Sequence, residues 1–164
     1  ISSFLRKHKK IVVKPIHGYA GKNIIYINKK LNQRILKKYL KKFDHVMVQK
    51  YLNKVQEGDK RVFIINGKVK GAIRRLPRKG SILSNISQGG IALKTKLNSR
   101  ELKISKIVAT SLKKSGIFFA GIDLVGGYLI GDINVTSPTG LPQYKNLTGK
   151  NLAIDFWNEL EKLK

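Results

Sequence analysis

Two short apolar runs folded across a double glycine constrain this chain more than any other stretch. Residues 120–140 read AGIDLVGGYLIGDINVTSPTG. Gly126-Gly127 supplies the residues a tight hairpin turn needs, so the flanking runs should pair antiparallel. Strand alternation then sends Asp132 and Asn134 to one side of the second strand, and the turn brings the Asp123 strand back beside them. The chain has nine Asp and Glu residues against 34 Lys and Arg, so two carboxylates and an amide gathered here stand out. Three hard oxygen donors suit a cation such as Mg²⁺. The alternative is a pair of surface turn aspartates.

Along the remaining sequence the patterns are mixed, which predicts an α+β fold. Residues 10–14 (KIVVK) and 23–27 (NIIYI) read as short strands around a glycine loop, and 46–50 (VMVQK) as another. Asn32 is placed to cap a helix through about Lys42, with Ile35, Leu36, Tyr39 and Leu40 at helical spacing. RVFIING and KVKGAIRRL flank Asn66-Gly67, the strongest short hairpin signal in the sequence. The span 77–92, with Pro77, Gly80, Gly89 and Gly90, reads as a long loop suited to a functional role. A helix starts at Ser99, with Ile104, Ile107, Val108 and Leu112 expected on its apolar face. Strands at 117–124 and 128–134 follow, then one helix over about 149–163. No repeat, low-complexity tract or internal domain boundary is visible, so 1–164 reads as one domain.

Size and composition set outer limits. The 164 residues, 41% of them hydrophobic, can bury a core. No apolar run approaches the roughly 20 residues of a membrane span. The opening ISSFLRKHKK does not read as a signal peptide, and the lack of an initiator Met makes the chain read as part of something longer. With no cysteine, disulfides and thiolate metal sites are excluded. The net charge of +25 has two readings, a polyanionic partner or the lysine-rich drift of AT-rich coding. Lysines scattered at Lys29-Lys30, Lys37-Lys38, Lys41-Lys42 and Lys113-Lys114 favour the second, although a basic nucleotide pocket is compatible with it.

Three constellations carry chemistry. In VVKPIHGYAGKNI, residues 12–24, Lys14 ends a strand and Gly18 and Gly21 permit close backbone approach, as a phosphate loop requires. Neither the Walker A nor the dinucleotide-fold spacing fits, and a plain hairpin turn explains the residues as well. VMVQKYL, 46–52, leads into EGDKR, 57–61, a strand running into a polar segment that could read adenine, with Asp59 in reach of ribose hydroxyls. Read alone, it is an ordinary strand and turn. Arg61 and Arg75 lie on the two strands of the Asn66-Gly67 hairpin and could clamp phosphate or carboxylate; a solvated face is the alternative. His8, His17 and His45 do not cluster, and no Ser-His-Asp or Cys-His set is present.

In order, KPIHGYAG, VMVQKYL, GDKRVFIINGKV, RRLP, SNISQGG, GIDLVG and DINVTSPTG resemble the C-terminal part of bacterial glutathione synthetases, members of the ATP-grasp superfamily. The resemblance covers nearly the whole chain, and INVTSPTG is its most specific piece. It implies an ATP-grasp fold of antiparallel sheets with packed helices, in two lobes that grip Mg-ATP. It implies ligation of γ-glutamylcysteine and glycine through an acyl phosphate, with ATP and Mg²⁺ (or Mn²⁺) as cofactors. By motif match, Lys14 would hold ATP phosphates under a loop containing Gly18 and Gly21. Gln49, Tyr51 and Leu52 would line the adenine pocket and Asp59 would sit near the ribose. Arg61 and Arg75 would be the catalytic cations facing phosphate or substrate, Asp123, Asp132 and Asn134 would bind the metal, and Pro77 to Gly90 would form a lid.

The pattern departs from the family at several places. Asp132 stands where Glu is usual, His17 where Asp is common, Ala20 where Gly is common, and Leu83 where Arg is expected in the lid. An N-terminal substrate domain and a second ATP lysine are expected outside this sequence, and the isolated segment is expected to bind nucleotide weakly and turn over little. The family further implies a cytoplasmic enzyme that assembles as a homo-oligomer. The rival functions are a related ATP-grasp ligase with another substrate pair and a basic nucleic-acid-binding module, which no stacking motif or recognition helix supports.

Overall fold

A computed structural model describes residues 1–17, 22–28, 32–77 and 89–163. They form two compact units, Ile1–Asn53 and Lys54–Lys164, a division that no composition shift marks in the sequence.

The first unit contains α1 (Ser2–His8), β1 (Lys10–Pro15), β2 (Ile25–Asn28), α2 (Gln33–Lys42) and β3 (Val46–Lys50). The strands form an antiparallel sheet in the order β2-β1-β3. Ile11 and Val13 are fully buried on one face, with Leu5, Ile27 and Tyr39 packed against them. Asn32 caps α2 as the sequence predicts, its side chain accepting from the Ile35 N–H. The second strand starts at Ile25 rather than residue 23, and α1 was not foreseen.

A 3₁₀ turn, Asn53–Glu57, leads into the second unit, which continues through β4 (Asp59–Ile65), β5 (Lys68–Leu76), β6 (Ile91–Lys94) and α3 (Ser99–Lys114). Then come β7 (Phe119–Val125), β8 (Tyr128–Asn134), α4 (Leu141–Thr148) and α5 (Leu152–Glu161). Its five strands are antiparallel in the order β6-β5-β4-β7-β8. Both expected hairpins form. Asn66 and Gly67 have φ of 48° and 71°, and Gly126 and Gly127 have 56° and 79°, the positive pairs that tight hairpin turns demand.

Strand alternation gives this sheet two different faces. Val62, Ile64, Ala72, Ala120, Ile122 and Leu124 point to α3, where Ala109 and Leu112 complete an apolar core. A capping box of Asn98 and Glu101 fixes the start of that helix. Ile104, Val108 and Leu112 face the core as expected, but Ile107 is 62% exposed, and Glu101, Ser105 and Ala109 are buried instead. On the opposite face Phe63, Ile65 and Ile73 pack with Tyr144 of α4 and Leu152 of α5. Each fully buried side chain of this size contributes about 1.5–3 kcal/mol.

Two expectations are refined at the chain's end and around residue 91. The helix expected over 149–163 forms as α5, starting at Leu152 behind the Asn151 cap, whereas α4 before it was not foreseen; Gly149 takes φ 77° and its N–H closes on the Lys145 carbonyl, which ends α4. The span 77–92 ends in β6, while 78–88 lie outside the described residues.

Glu159 of α5 ties this helix to the tip of the β4–β5 hairpin. Its carboxylate, 5% exposed, accepts from Lys70 Nζ at 2.9 Å, Lys68 Nζ at 3.2 Å and Asn66 Nδ2 at 3.1 Å. The hydrogen bonds from Lys70, Lys68 and Asn66 outweigh the effect of burial and hold its pKa down at about 2, against an ordinary 4.5. A depressed pKa stabilises the fold above the unfolded value, and that contribution is lost as pH falls through the folded one. Glu159→Gln therefore lowers the thermal midpoint at pH 7, and melting curves of the two proteins should converge as pH drops from about 4.5 to about 2.

Candidate functional site

On the second sheet, the face that carries Phe63 and Ile73 turns ionic at one end. Asp59 and Arg61 are in phase with Phe63 along β4, Arg75 with Ile73 along β5, and Asp123 with Gly121 along β7. The register sets Asp59 opposite Arg75 and Arg61 opposite Asp123. All four are at most 5% exposed, so each charge must find a partner inside the protein.

They find one another. Arg75 donates from Nε and Nη2 to the two Asp59 oxygens, both at 2.7 Å, and its Nη2 lies 2.8 Å from Asp123 Oδ2. Arg61 grips Asp123 with Nε on Oδ1 and Nη2 on Oδ2, the latter at 2.9 Å, while its Nη1 reaches the Thr139 carbonyl at 3.3 Å. The result is a row, Asp59–Arg75–Asp123–Arg61, of paired guanidinium and carboxylate forks. Burial alone would lower the Arg75 pKa, but the Asp59 hydrogen bonds and the charges of Asp123 and Asp59 overcome it and raise the value above the ordinary arginine range.

Backbone geometry makes room for the row. Gly58 has φ 90°, and a Cβ there would strike the Arg75 carbonyl oxygen, so glycine lets β4 start tight against β5. At Gly121 a Cβ would lie 2.9 Å from Arg61 Cδ and 3.1 Å from Pro138 Cβ. The SPTG segment thus lies beside Arg61, whose Nη1 reaches its Thr139 carbonyl.

Asn134 faces Gly121 across the β7–β8 pair and so belongs to the same face as Asp123. Its Oδ1 accepts from the Ser137 N–H at 2.9 Å, and its Nδ2 donates to the Ser137 carbonyl at 3.1 Å, which ties the end of β8 to the SPTG segment. Between Ile122 and Leu124 the ladder slips: Ile122 pairs with Ile133, yet Leu124 pairs with Leu129 rather than with residue 131. The two extra residues form a bulge opposite Asp123, and exposed Asp132 lies in it. Among the described residues no three His, Cys, Asp or Glu side chains gather as a metal cluster. The set Asp123, Asp132, Asn134 reaches three donors only through the amide. Its oxygen-only chemistry fits Mg²⁺, and the Asn134 oxygen keeps a second lone pair after bonding Ser137.

The remaining expected site residues lie on the first unit. On its sheet, Val12 pairs with Tyr26 and Gln49, and Lys14 with Met47, so all five share the face opposite Ile11 and Val13. Tyr51 joins them: its ring meets that of Tyr26 with centroids 4.6 Å apart, and its N–H donates to the Lys10 carbonyl. Burial, and secondarily Tyr26, push the Tyr51 hydroxyl pKa up. Leu52 follows, half-buried. Gly18 and Gly21, and most of the expected lid, lie outside the described residues. Asp59, expected near a ribose, is bound to Arg75. An open depression of about 380 Å³ on α3, lined by Ser99, Leu102, Lys103, Lys106 and Ile107, includes none of the expected site residues.

Sequence reasoning missed the pairing itself and the part played by Thr139 and Pro138. A signal was available: charges in phase with Phe63 and Ile65 on an apolar strand must face inward and be matched.

The sequence model of the family described as prokaryotic glutathione synthetase, ATP-grasp domain, matches residues 1–149. The glutathione synthetase of Mesorhizobium japonicum is 36% identical over 98% of this chain and 52% of its own length. That of Prochlorococcus marinus strain MIT 9313 is 38% identical over 93% of the chain and 50% of its own length. The chain thus spans about half the length of the curated relatives it matches. Among solved structures, D-cycloserine synthetase DcsG superposes with a TM-score of 0.72 at 18% identity, covering 99% of this chain and 60% of that one. The D-alanine–D-alanine ligase of Bacillus anthracis gives 0.62 at 16% identity, over 90% of this chain and 52% of that one. These likenesses show the ATP-grasp fold, α+β with antiparallel sheets.

Cutting the ionic row at its outer end tests how it is held. Asp59→Ala leaves Arg75 buried with Asp123 alone, which is shared with Arg61, and should cost about 3–5 kcal/mol of unfolding free energy in a urea titration.

Proposed function

This chain belongs to the prokaryotic glutathione synthetase ATP-grasp family, and from that membership we propose that it is the ATP- and Mg²⁺-binding part of a glutathione synthetase. The observation that supports this most directly is the family match over nearly the whole chain, combined with the meeting of Arg61, Arg75, Asp123 and Asn134 on one sheet face.

The reaction joins γ-glutamylcysteine to glycine. A carboxylate oxygen of γ-glutamylcysteine attacks the γ-phosphorus of ATP, the bond to the bridging oxygen breaks, and ADP leaves. The neutral glycine amine attacks the acyl carbon, inorganic phosphate departs with the bonding pair, and the nitrogen gives up a proton to solvent as the amide forms. Little covalent work falls to the protein, so its contribution is charge neutralisation, positioning and exclusion of water. In this reading Lys14 holds ATP phosphates, Gly18 and Gly21 belong to the loop over them, and Gln49, Tyr51 and Leu52 meet the adenine. Arg61 and Arg75 face the transferring phosphoryl group or the substrate carboxylate. Asp123, Asp132 and Asn134 hold Mg²⁺, which supplies charge neutralisation on the phosphates; Mn²⁺ is the natural substitute. Asp59 acts through Arg75 instead of touching the ribose. Among the described residues no helix is long and apolar enough to cross a membrane, and cytoplasmic placement and assembly as a homo-oligomer belong to the same proposal.

Other ATP-grasp ligases join different acids and amines, so substrate identity needs a direct test. With the complete enzyme, phosphate release across a panel of carboxylates and amines should be fastest with γ-glutamylcysteine and glycine. Faster turnover with another pair would overturn the substrate assignment and leave the ligase reading intact. Asn134→Ala in the same enzyme should cut Mg-ATP-dependent phosphate release by at least about a hundredfold, the scale on which loss of one preorganised charge-stabilising group slows transfer; normal activity would remove Asn134 from the metal set.

A further inference from the structure

The two arginines of the ionic row are not held alike. Arg75 has two carboxylates: both Asp59 oxygens at 2.7 Å, and Asp123 at 2.8 Å. Arg61 has Asp123 as its only carboxylate among the described residues, and its third contact is a neutral carbonyl at 3.3 Å. Asp123 accepts from both arginines, three N–H donors in all on a group with about four lone-pair sites. With three of those sites taken, a divalent cation on Asp123 competes with the two guanidiniums for the same oxygens.

Release carries a different consequence for each arginine. Arg75 losing Asp123 keeps a bidentate partner in Asp59, so its charge stays compensated. Arg61 losing Asp123 keeps a carbonyl alone, and its Nε and Nη2 become donors in search of an anion. Charge balance points the same way. Two guanidiniums and two carboxylates sum to zero, so a divalent cation at Asp123 leaves the buried row with excess positive charge, which an incoming phosphate or carboxylate would offset.

We propose that Asp59 is a positioning residue that makes Arg75 the fixed cation of the site, while Arg61 is the exchangeable one, surrendered by Asp123 when a divalent cation binds there and thereby delivered to the anionic ligand. The proposal rests on the reading of Asp123 as a metal ligand. Thr139 and Pro138 define where Arg61 rests beforehand, which gives the SPTG segment a physical task.

Two measurements on the complete enzyme test it. In ¹H–¹⁵N spectra of the arginine Nε–H groups, assigned with Arg61→Lys, addition of Mg²⁺ with ADP should move the Arg61 signal and speed its exchange with water while the Arg75 signal stays. In Asp59→Asn both signals should move. Independently, free Mn²⁺ counted by electron paramagnetic resonance should show Arg61→Gln binding Mn²⁺ about tenfold more tightly than the unmodified enzyme, since the competing charge on Asp123 is gone. Arg74→Gln, which removes an equal charge from a residue bonded to the Glu57 carbonyl, should change affinity less than about twofold. An unmoved Arg61 signal, a moved Arg75 signal in the unmodified enzyme, or equal Mn²⁺ affinities for Arg61→Gln and Arg74→Gln would each overturn the inference while leaving the metal site standing. Failure of every form to bind Mn²⁺, with or without ADP, would overturn the metal reading of Asp123 and this inference with it.

Discussion

Four buried charges on three adjacent strands set the terms for everything else in the second unit. Taking Asp59, Arg61, Arg75 and Asp123 out of water costs several kcal/mol per ion before any pairing is counted. Bidentate forks recover much of that cost, yet well-packed apolar residues of similar volume often serve stability equally well or better. Stability alone therefore does not call for such a row. What the row provides, and apolar packing cannot, is a set of cations and carboxylates gathered at hydrogen-bonding distance within the fold itself.

The surrounding fold is arranged to keep those charges in place. One face of the sheet packs an apolar core under α3, while the other is apolar at the α4 and α5 end and ionic at the end bearing Asp59 and Arg75. The β4–β5 hairpin carries three of the four charges, and Glu159 pins its far tip through two lysines and an asparagine. Lys60, pointing to the other face, reaches Glu101 at 2.7 Å and so locks the same strand to α3. A hairpin fastened at its tip, along its back and through its core cannot slip in register. A one-residue slip would carry Asp59 and Arg61 to the wrong face of the sheet.

How much of this was legible in the sequence depends on the range of the interaction involved. Both hairpin turns and the α2 cap were readable, because a positive φ or an orphan N–H restricts the residue types that can occupy the position. The helix expected over 149–163 formed as α5 behind its Asn151 cap, whereas α4 starts after Gly140 with no side-chain cap to announce it. The first helix has no side-chain cap and seven residues, too little local signal to distinguish it from a basic turn. The candidate site was readable as a list of residue types and not as an arrangement. Arg61 and Asp123 are 62 positions apart, and what joins them is the pairing of β4 with β7, which no local pattern encodes. Similarly, Asp59 looked free for a ribose because its partner lies on a strand whose register is set by the Asn66-Gly67 turn.

The large positive charge takes on a clearer meaning once the acids are located. Four of the nine carboxylates, Asp59, Glu101, Asp123 and Glu159, are buried and matched to basic side chains. Buried pairs contribute little net field outside the protein, and they remove nearly half of the negative charge from the surface. The exposed lysines are left with few counter-charges of their own, even if their number reflects coding bias rather than selection for a partner. A surface of that kind draws in any polyanion within about 10 Å at moderate ionic strength. Nucleotide triphosphate is one such ligand, and nucleic acid another, so the charge by itself does not select between them. What would select between them is the interior, where oxygen donors beside guanidiniums suit a cation and a phosphate chain.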